Sequence, residues 1–224
     1  MRGCTTDKNL ILISSPFMNL RPYLAKPFTS EFSKPILFVL CLIPFASLLY
    51  AAVFNQSSLG ANPAEYIIRS TGDWVLRFLC ITLAITPLRV ITATPQLARL
   101  RRMLGLYVFF YVVLHLLSYS LFDKEFDIPE IAKDIAKRPF ILVGFAGFVL
   151  LAPLALTSFN KAIKWLGAKN WQRLHKLVYV IAGLGILHFF WMRAGKNNFA
   201  EVFVYAGILA VLLGWRVWHK FKKN

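Results

Sequence analysis

Six long apolar runs alternate with short polar connections along the chain, and their length is the first constraint on its fold. The runs cover approximately residues 35–54, 74–92, 104–122, 139–158, 176–192 and 200–218. Each approaches the roughly 20 residues that a helix needs to cross a hydrocarbon layer about 30 Å thick. Pro44, Pro87 and Pro153 fall inside or near the ends of these helices. That suits a membrane span, where packed neighbours re-satisfy the carbonyls a proline frees. The pattern predicts an all-α membrane protein, a six-helix transmembrane bundle. The fifth run is the shortest. The connection between the third and fourth runs holds Ile128, Ile131 and Ile135 with Pro129 near its start, which predicts a short amphipathic helix lying at the membrane surface.

Composition narrows the class. Of 224 residues, 58% are hydrophobic and only 16% charged. There is no repeat, no low-complexity tract and no second domain. The expected organisation is a polar N-terminal tail over residues 1–34, a membrane domain over 35–218 and a basic tail over 219–224. Leu10–Ile13 is too short for a signal-peptide core, and no small-residue cleavage site precedes the first helix. Met18 offers an alternative start that would trim only the tail. Cys4, Cys41 and Cys80 show no metal-ligand spacing and read as small apolar residues.

Charge sets an orientation. If both termini are cytoplasmic, the inner segments hold 18 of the 26 basic residues and only Asp7 and Glu31 of the ten acids, which accounts for the whole formal charge of +16. This is a strong positive-inside pattern. A pI near 10.1 therefore reflects topology and contact with anionic lipid rather than nucleic-acid binding.

Against this apolar background three histidines stand out, because an ionisable ring is costly in a bilayer. His115 lies eleven residues beyond Leu104, about 16 Å up the third helix, and His188 lies twelve beyond Lys176, about 18 Å up the fifth. Two imidazoles at one level on facing helices are what bis-histidine haem ligation in a bundle requires. Gly144, Gly147, Gly183 and Gly185 leave room for a flat ligand or serve ordinary helix packing. His175 is thirteen residues before His188, a spacing that turns the two rings about 140° apart on a straight helix. It either serves a ligand on another face, sits in a local distortion, precedes the regular helix, or is an interfacial residue bonding headgroups or a propionate. His219 has the same inner depth and can in geometry partner His175, but reads first as a boundary residue.

Several segments carry a family resemblance: Arg101 to Tyr107, Leu114-His115 with Ser118-Tyr119, Leu166-Gly167, Trp171 to Tyr179, and Leu187-His188 to Trp191. Leu59 to Pro63, Thr71-Gly72, Ile85 to Leu88 and Lys137 to Pro139 belong to the same set. Together they resemble the haem-binding membrane subunit of periplasmic methionine sulfoxide reductase systems, the MsrQ/YedZ type, within the ferric-reductase-like transmembrane superfamily. The resemblance covers roughly residues 35–218 and fixes all three histidines in order and spacing. The N-terminal tail and His219 depart from it. It implies a six-helix cytochrome b of the bacterial inner membrane, with His115 and His188 as axial ligands and His175 also in haem binding. One or two haems b and FMN are the implied cofactors. Electrons would come from the quinone pool or a cytoplasmic flavin reductase and pass to a periplasmic molybdopterin-dependent methionine sulfoxide reductase.

The residues constrain mechanism separately. No Gly-rich dinucleotide motif occurs, and little chain follows Trp218, so a separate donor is expected to supply electrons. The outer loops offer no nucleophile, metal cluster or acid–base pair for substrate chemistry, which points to an electron conduit. Arg69, Arg77, Arg102 and Arg173 are candidate propionate or partner contacts. A proton-coupled transporter using histidine as a relay is the alternative, disfavoured by the expected absence of membrane-embedded Asp or Glu; a scaffold subunit is a further one.

Overall fold

A computed structural model describes residues 33–195 and 197–222. The N-terminal tail with Cys4 and Met18, together with Lys196 and Lys223, lies outside them. The described chain is helical throughout: α1 (Ser33–Phe54), α2 (Pro63–Ile91), α3 (Ala98–Phe122), α4 (Ile128–Lys137), α5 (Pro139–Leu156), α6 (Asn160–Leu166), α7 (Ala168–His175), α8 (Leu177–Ala194) and α9 (Ala200–Phe221), with single 3-10 turns at Gln56–Leu59 and Pro95–Leu97. Six of its helical segments are long and apolar enough to cross a membrane: α1, α2, α3 with its leading turn, α5, α7 continued by α8, and α9.

Two boundaries correct the hydropathy reading. The second crossing helix begins at Pro63 rather than near residue 74, with Asn62 as N-cap accepting from the Glu65 amide. Its first three turns carry Glu65, Arg69 and Asp73, whose charge interrupts the apolar run although the backbone stays helical. Asp73 consequently lies inside a membrane-spanning helix, contrary to the expectation that no acid does. The fifth crossing helix breaks at Lys176 between α7 and α8, so the straight-helix angle between His175 and His188 does not apply.

α2 and α3 form the centre of the bundle. α5 pairs with α8, α9 closes against α2 and α8, and α1 is the outermost element. The core runs through Leu79, Leu83, Val108, Tyr111 and Ala182, each almost wholly buried. Cys41 and Cys80 are free thiols buried in or beside this core. Phe78 stacks on both Tyr107 and Tyr111, at 5.7 and 5.0 Å between ring centres.

The tyrosines also pin α1. Tyr111 donates to the Cys41 carbonyl at 2.9 Å and accepts from the Phe45 amide at 3.1 Å, so its hydroxyl bridges a donor and acceptor that would otherwise form one rung of the helix. Tyr107 donates to the Phe38 carbonyl at 2.7 Å. A side chain inserted beside Pro44 re-satisfies backbone that proline disrupts. The same logic operates at Pro87, whose missing amide frees the Leu83 carbonyl; Arg216 of α9 caps that carbonyl at 2.6 Å.

α4 takes the amphipathic form expected of it, but the residue it buries is Asp134, not an isoleucine. Ile128 is exposed, and Ile135 lines a cavity inside the bundle. Asp134 accepts from Tyr119 at 2.7 Å and pairs with Lys124 at 3.1 Å and Arg138 at 2.8 Å. Burial alone would raise its carboxyl, yet these three partners hold it below the usual carboxylate range. The network fastens α4 across the end of the bundle.

Candidate functional site

Beneath α4 lies a cavity of about 470 Å³, within the size range of cofactor sites. Its mouth is polar, with Asn62, Arg69, Tyr119 and Arg138; its floor is apolar, with Leu79, Val108, Leu151 and Ile181. His115 enters from α3 and His188 from α8, each about two turns from the end of the bundle that carries α4.

The ring centres of His115 and His188 are 6.2 Å apart and their planes are inclined at 76°. Two metal–nitrogen bonds of about 2 Å, plus the distance from nitrogen to ring centre on each side, add to about 6 Å. The protonation pattern suits ligation as well. His115 Nδ1 lies 2.9 Å from the Ile68 carbonyl and His188 Nδ1 2.7 Å from the Phe140 carbonyl. A carbonyl oxygen only accepts, so each Nδ1 carries the proton and each Nε2 keeps its lone pair, the tautomer of a metal-bound imidazole. Thr71 Oγ1, 3.4 Å from the same His115 nitrogen, adds a second contact.

Glycines decide how the rings seat. A Cβ on Gly144 would fall 2.8 Å from His188 Nδ1, and one on Gly72 would fall 3.1 Å from His115 Cε1. Each histidine therefore lies against a glycine of a neighbouring helix, His188 on α5 and His115 on α2. Gly144 makes room for the ring itself; Gly147 and Gly185 line the cavity, and Gly183 does not. Gly72 entered the sequence reading only through the Thr71-Gly72 resemblance. Its role was hidden there because the partner ring is 43 residues away in sequence.

Among the described residues no group of three or more His, Cys, Asp or Glu side chains gathers to hold a bare metal ion. Two imidazoles alone are too few for a structural zinc site, but they suffice for iron that arrives with four equatorial nitrogens in a flat macrocycle. A cavity lined by two neighbouring imidazoles, with a polar mouth for carboxylates and an apolar floor, fits haem.

His175 is elsewhere. It ends α7, stacks on Trp171 at 3.9 Å between ring centres, and bonds through Nδ1 to the Trp171 carbonyl at 3.0 Å. It does not line the cavity. Its Nε2 is buried without an ordinary hydrogen-bond partner. His219 stacks on Trp215 of its own helix. No ring contact joins His219 to His175 among the described residues.

Of the candidate arginines, Arg69 lines the cavity mouth. Arg77 sits over Trp74 and donates to the Tyr205 hydroxyl at 3.2 Å, facing a second cavity that it lines with Arg69 and Arg193. Arg102 donates to Asn160 at 2.7 Å on the far side of the bundle.

Comparison with known proteins gives a consistent picture. Residues 71–186 match the model of the ferric reductase like transmembrane component family. The chain is 72% identical over 191 residues to the protein-methionine-sulfoxide reductase heme-binding subunit MsrQ of Polaromonas naphthalenivorans, covering 85% of this chain and 86% of that one. It is 55% identical over 194 residues to the MsrQ of Herminiimonas arsenicoxydans, covering 85% and 88%. With the MsrQ of Xanthomonas euvesicatoria the identity is 51% over 166 residues, covering 74% and 75%. No solved structure matches the chain.

Proposed function

Because the chain belongs to the family of MsrQ haem-binding subunits, built on a ferric-reductase-like transmembrane component, we propose that it is a membrane electron conduit whose haem b is held between His115 and His188. The observation that carries this reading is the pair of imidazoles with ring centres 6.2 Å apart, each tethered through Nδ1 to a carbonyl of another helix. The bound haem supplies one-electron chemistry, and the protein supplies position, ligand tautomer and dielectric.

Each residue then has a defined task. Ile68 and Phe140 hold the imidazoles in the ligating tautomer. Gly72 and Gly144 let the rings reach full depth. Arg69 and Arg138 at the mouth offer guanidiniums to haem carboxylates, while Leu79, Val108, Leu151 and Ile181 keep water from the opposite edge. His175 has a secondary role, and a second haem there requires a ligand partner that its present contacts do not supply.

The electron route is part of the proposal. The donor is the quinone pool or a cytoplasmic flavin reductase, and the acceptor is a periplasmic molybdopterin-dependent methionine sulfoxide reductase that repairs oxidised proteins. The positive-inside charge distribution supports an inner-membrane protein with both termini cytoplasmic, which turns the α4 end and the haem toward the periplasm. FMN rests on family resemblance alone, and neither cavity is assigned to it.

The test is a reduced-minus-oxidised visible spectrum with haem stoichiometry, on the wild type and on His115→Ala, His188→Ala and His175→Ala. The expected result is one low-spin b-type haem, lost in the first two variants and at most reduced in the third. A colourless wild type after haem-supplemented expression would overturn the conduit and favour the transporter, for which Asp73 supplies an intramembrane acid.

A further inference from the structure

α2 separates the histidine cavity from a second cavity of about 520 Å³, enclosed by α1, α2, the 3-10 turn before α2 and the end of α8. The two differ in chemistry. The first is lined mainly by apolar side chains, whereas the second presents the hydroxyls of Ser47, Ser58, Ser70 and Tyr66 and the guanidiniums of Arg69, Arg77 and Arg193. A polar space of that size holds water readily. Among the described residues one acid, Asp73, lines both cavities.

Asp73 is also the acid that ordinary structural roles leave over. Of the three carboxylates in the crossing helices, Glu65 and Glu201 sit in first turns and pair with Arg69 and Arg193 respectively. Asp73 lies three turns into α2, next to the glycine that seats His115, with no hydrogen bond or ion pair among the described residues. The charged groups around it are Arg69 and Arg77 on its own helix, Arg193 on α8 and Glu201 on α9. Arg69 and Arg193 pair with Glu65 and Glu201, and Arg77 with Tyr205 and the Trp74 ring. An ionisable side chain kept inside a membrane helix without a structural partner calls for a functional explanation.

We propose that Asp73 is the proton-uptake residue of the conduit, binding a proton from the second cavity when an electron enters the histidine cavity and releasing it when the electron leaves. The inference rests on the haem reading above. The balance is simple. One electron arrives from the reduced quinone or flavin donor, and the Asp73 carboxylate takes one proton from cavity water to form an O–H bond. On reoxidation the electron passes outward, that bond breaks and the proton returns to water. The physical cause is Coulombic: a negative charge added in the histidine cavity would favour the neutral form of a carboxyl that lines it. Asp73 acts through the field at the haem and is a positioning residue, not a ligand.

The experiment is a redox titration of the full-length, haem-loaded protein in nanodiscs across its stable pH range, for wild type, Asp73→Asn and Asp73→Glu. The wild-type midpoint potential should fall as pH rises. In Asp73→Asn it should be flat and stay near the low-pH wild-type value, and in Asp73→Glu the slope should return. Redox-difference infrared spectra of the wild type should show a protonated-carboxyl band on reduction that Asp73→Asn lacks. If Asp73→Asn fails to load haem, the wild type alone decides: no carboxyl band and a pH-independent potential would overturn the proposal. An unchanged slope in Asp73→Asn would overturn it too. Failure of the wild type to bind haem would overturn the functional reading instead, so the two failures are distinct.

Discussion

The two histidine environments differ in what holds the ring. His115 and His188 are tethered across helices, to Ile68 and Phe140, 47 and 48 residues away in sequence, and each rests on a glycine of a neighbouring helix. His175 is tethered within its own turn, to the carbonyl of Trp171 four residues earlier, and stacks on that residue's ring. A long-range tether fixes a ring relative to the whole bundle. A local tether fixes it only relative to its own short helix, and α7 is separated from α8 by a break. Preorganisation for a shared ligand is therefore built at one end of the molecule and not at the other.

The sharpest way to break this contrast is to crowd one ring. Gly144→Ala puts a methyl 2.8 Å from His188 Nδ1, and overpacking of that kind costs about 1–3 kcal/mol, so haem affinity should fall about tenfold to a hundredfold. Gly72→Ala, with its nearest contact at 3.1 Å, should show a smaller loss in the same haem titration. A next test removes the support of the core beside the site. Tyr111→Phe deletes the hydroxyl that bridges Cys41 and Phe45, and should lower stability by about 1–3 kcal/mol in thermal or denaturant unfolding while leaving the haem spectrum intact. Trp171→Leu unseats His175; the prediction is no change in the main low-spin band, and loss of that band would make the inner histidine an equal partner. The smallest effect concerns α4. Because Asp134 titrates lower in the folded protein than in the unfolded chain, its contribution is complete above the ordinary carboxylate pKa of about 4 and is lost as pH falls through the depressed folded value. Protease sensitivity at the α4 loop should rise over that acid window, and in Asp134→Asn it should be raised at neutral pH with little further change.

Helix existence was legible in the apolar runs, and helix extent was not. Hydropathy places the start of α2 about three turns too late because Glu65, Arg69 and Asp73 line the cavities, and a sliding average counts them only as polarity. The same averaging concealed Asp73. The meeting of His115 with His188 was inferred from matched depth, which works because rise per residue converts sequence position to height. Which glycine seats which ring depends on helix rotation and packing angle, quantities that one sequence does not encode locally. His175 shows the opposite case. Its angle to His188 holds only for a straight helix, and the break at Lys176 fits the alternative that His175 precedes the regular helix.

The most direct test of the central claim is low-temperature electron paramagnetic resonance of the oxidised, haem-loaded protein. If both rings hold the iron as proposed, planes inclined at 76° would leave the iron orbitals that face them nearly degenerate, so the spectrum should be a strongly anisotropic low-spin signal. His115→Ala and His188→Ala should abolish it, and His175→Ala should leave it in place. A rhombic signal of parallel imidazoles, a high-spin signal in the wild type, or a low-spin signal that survives loss of His115 or His188 would contradict ligation by this pair.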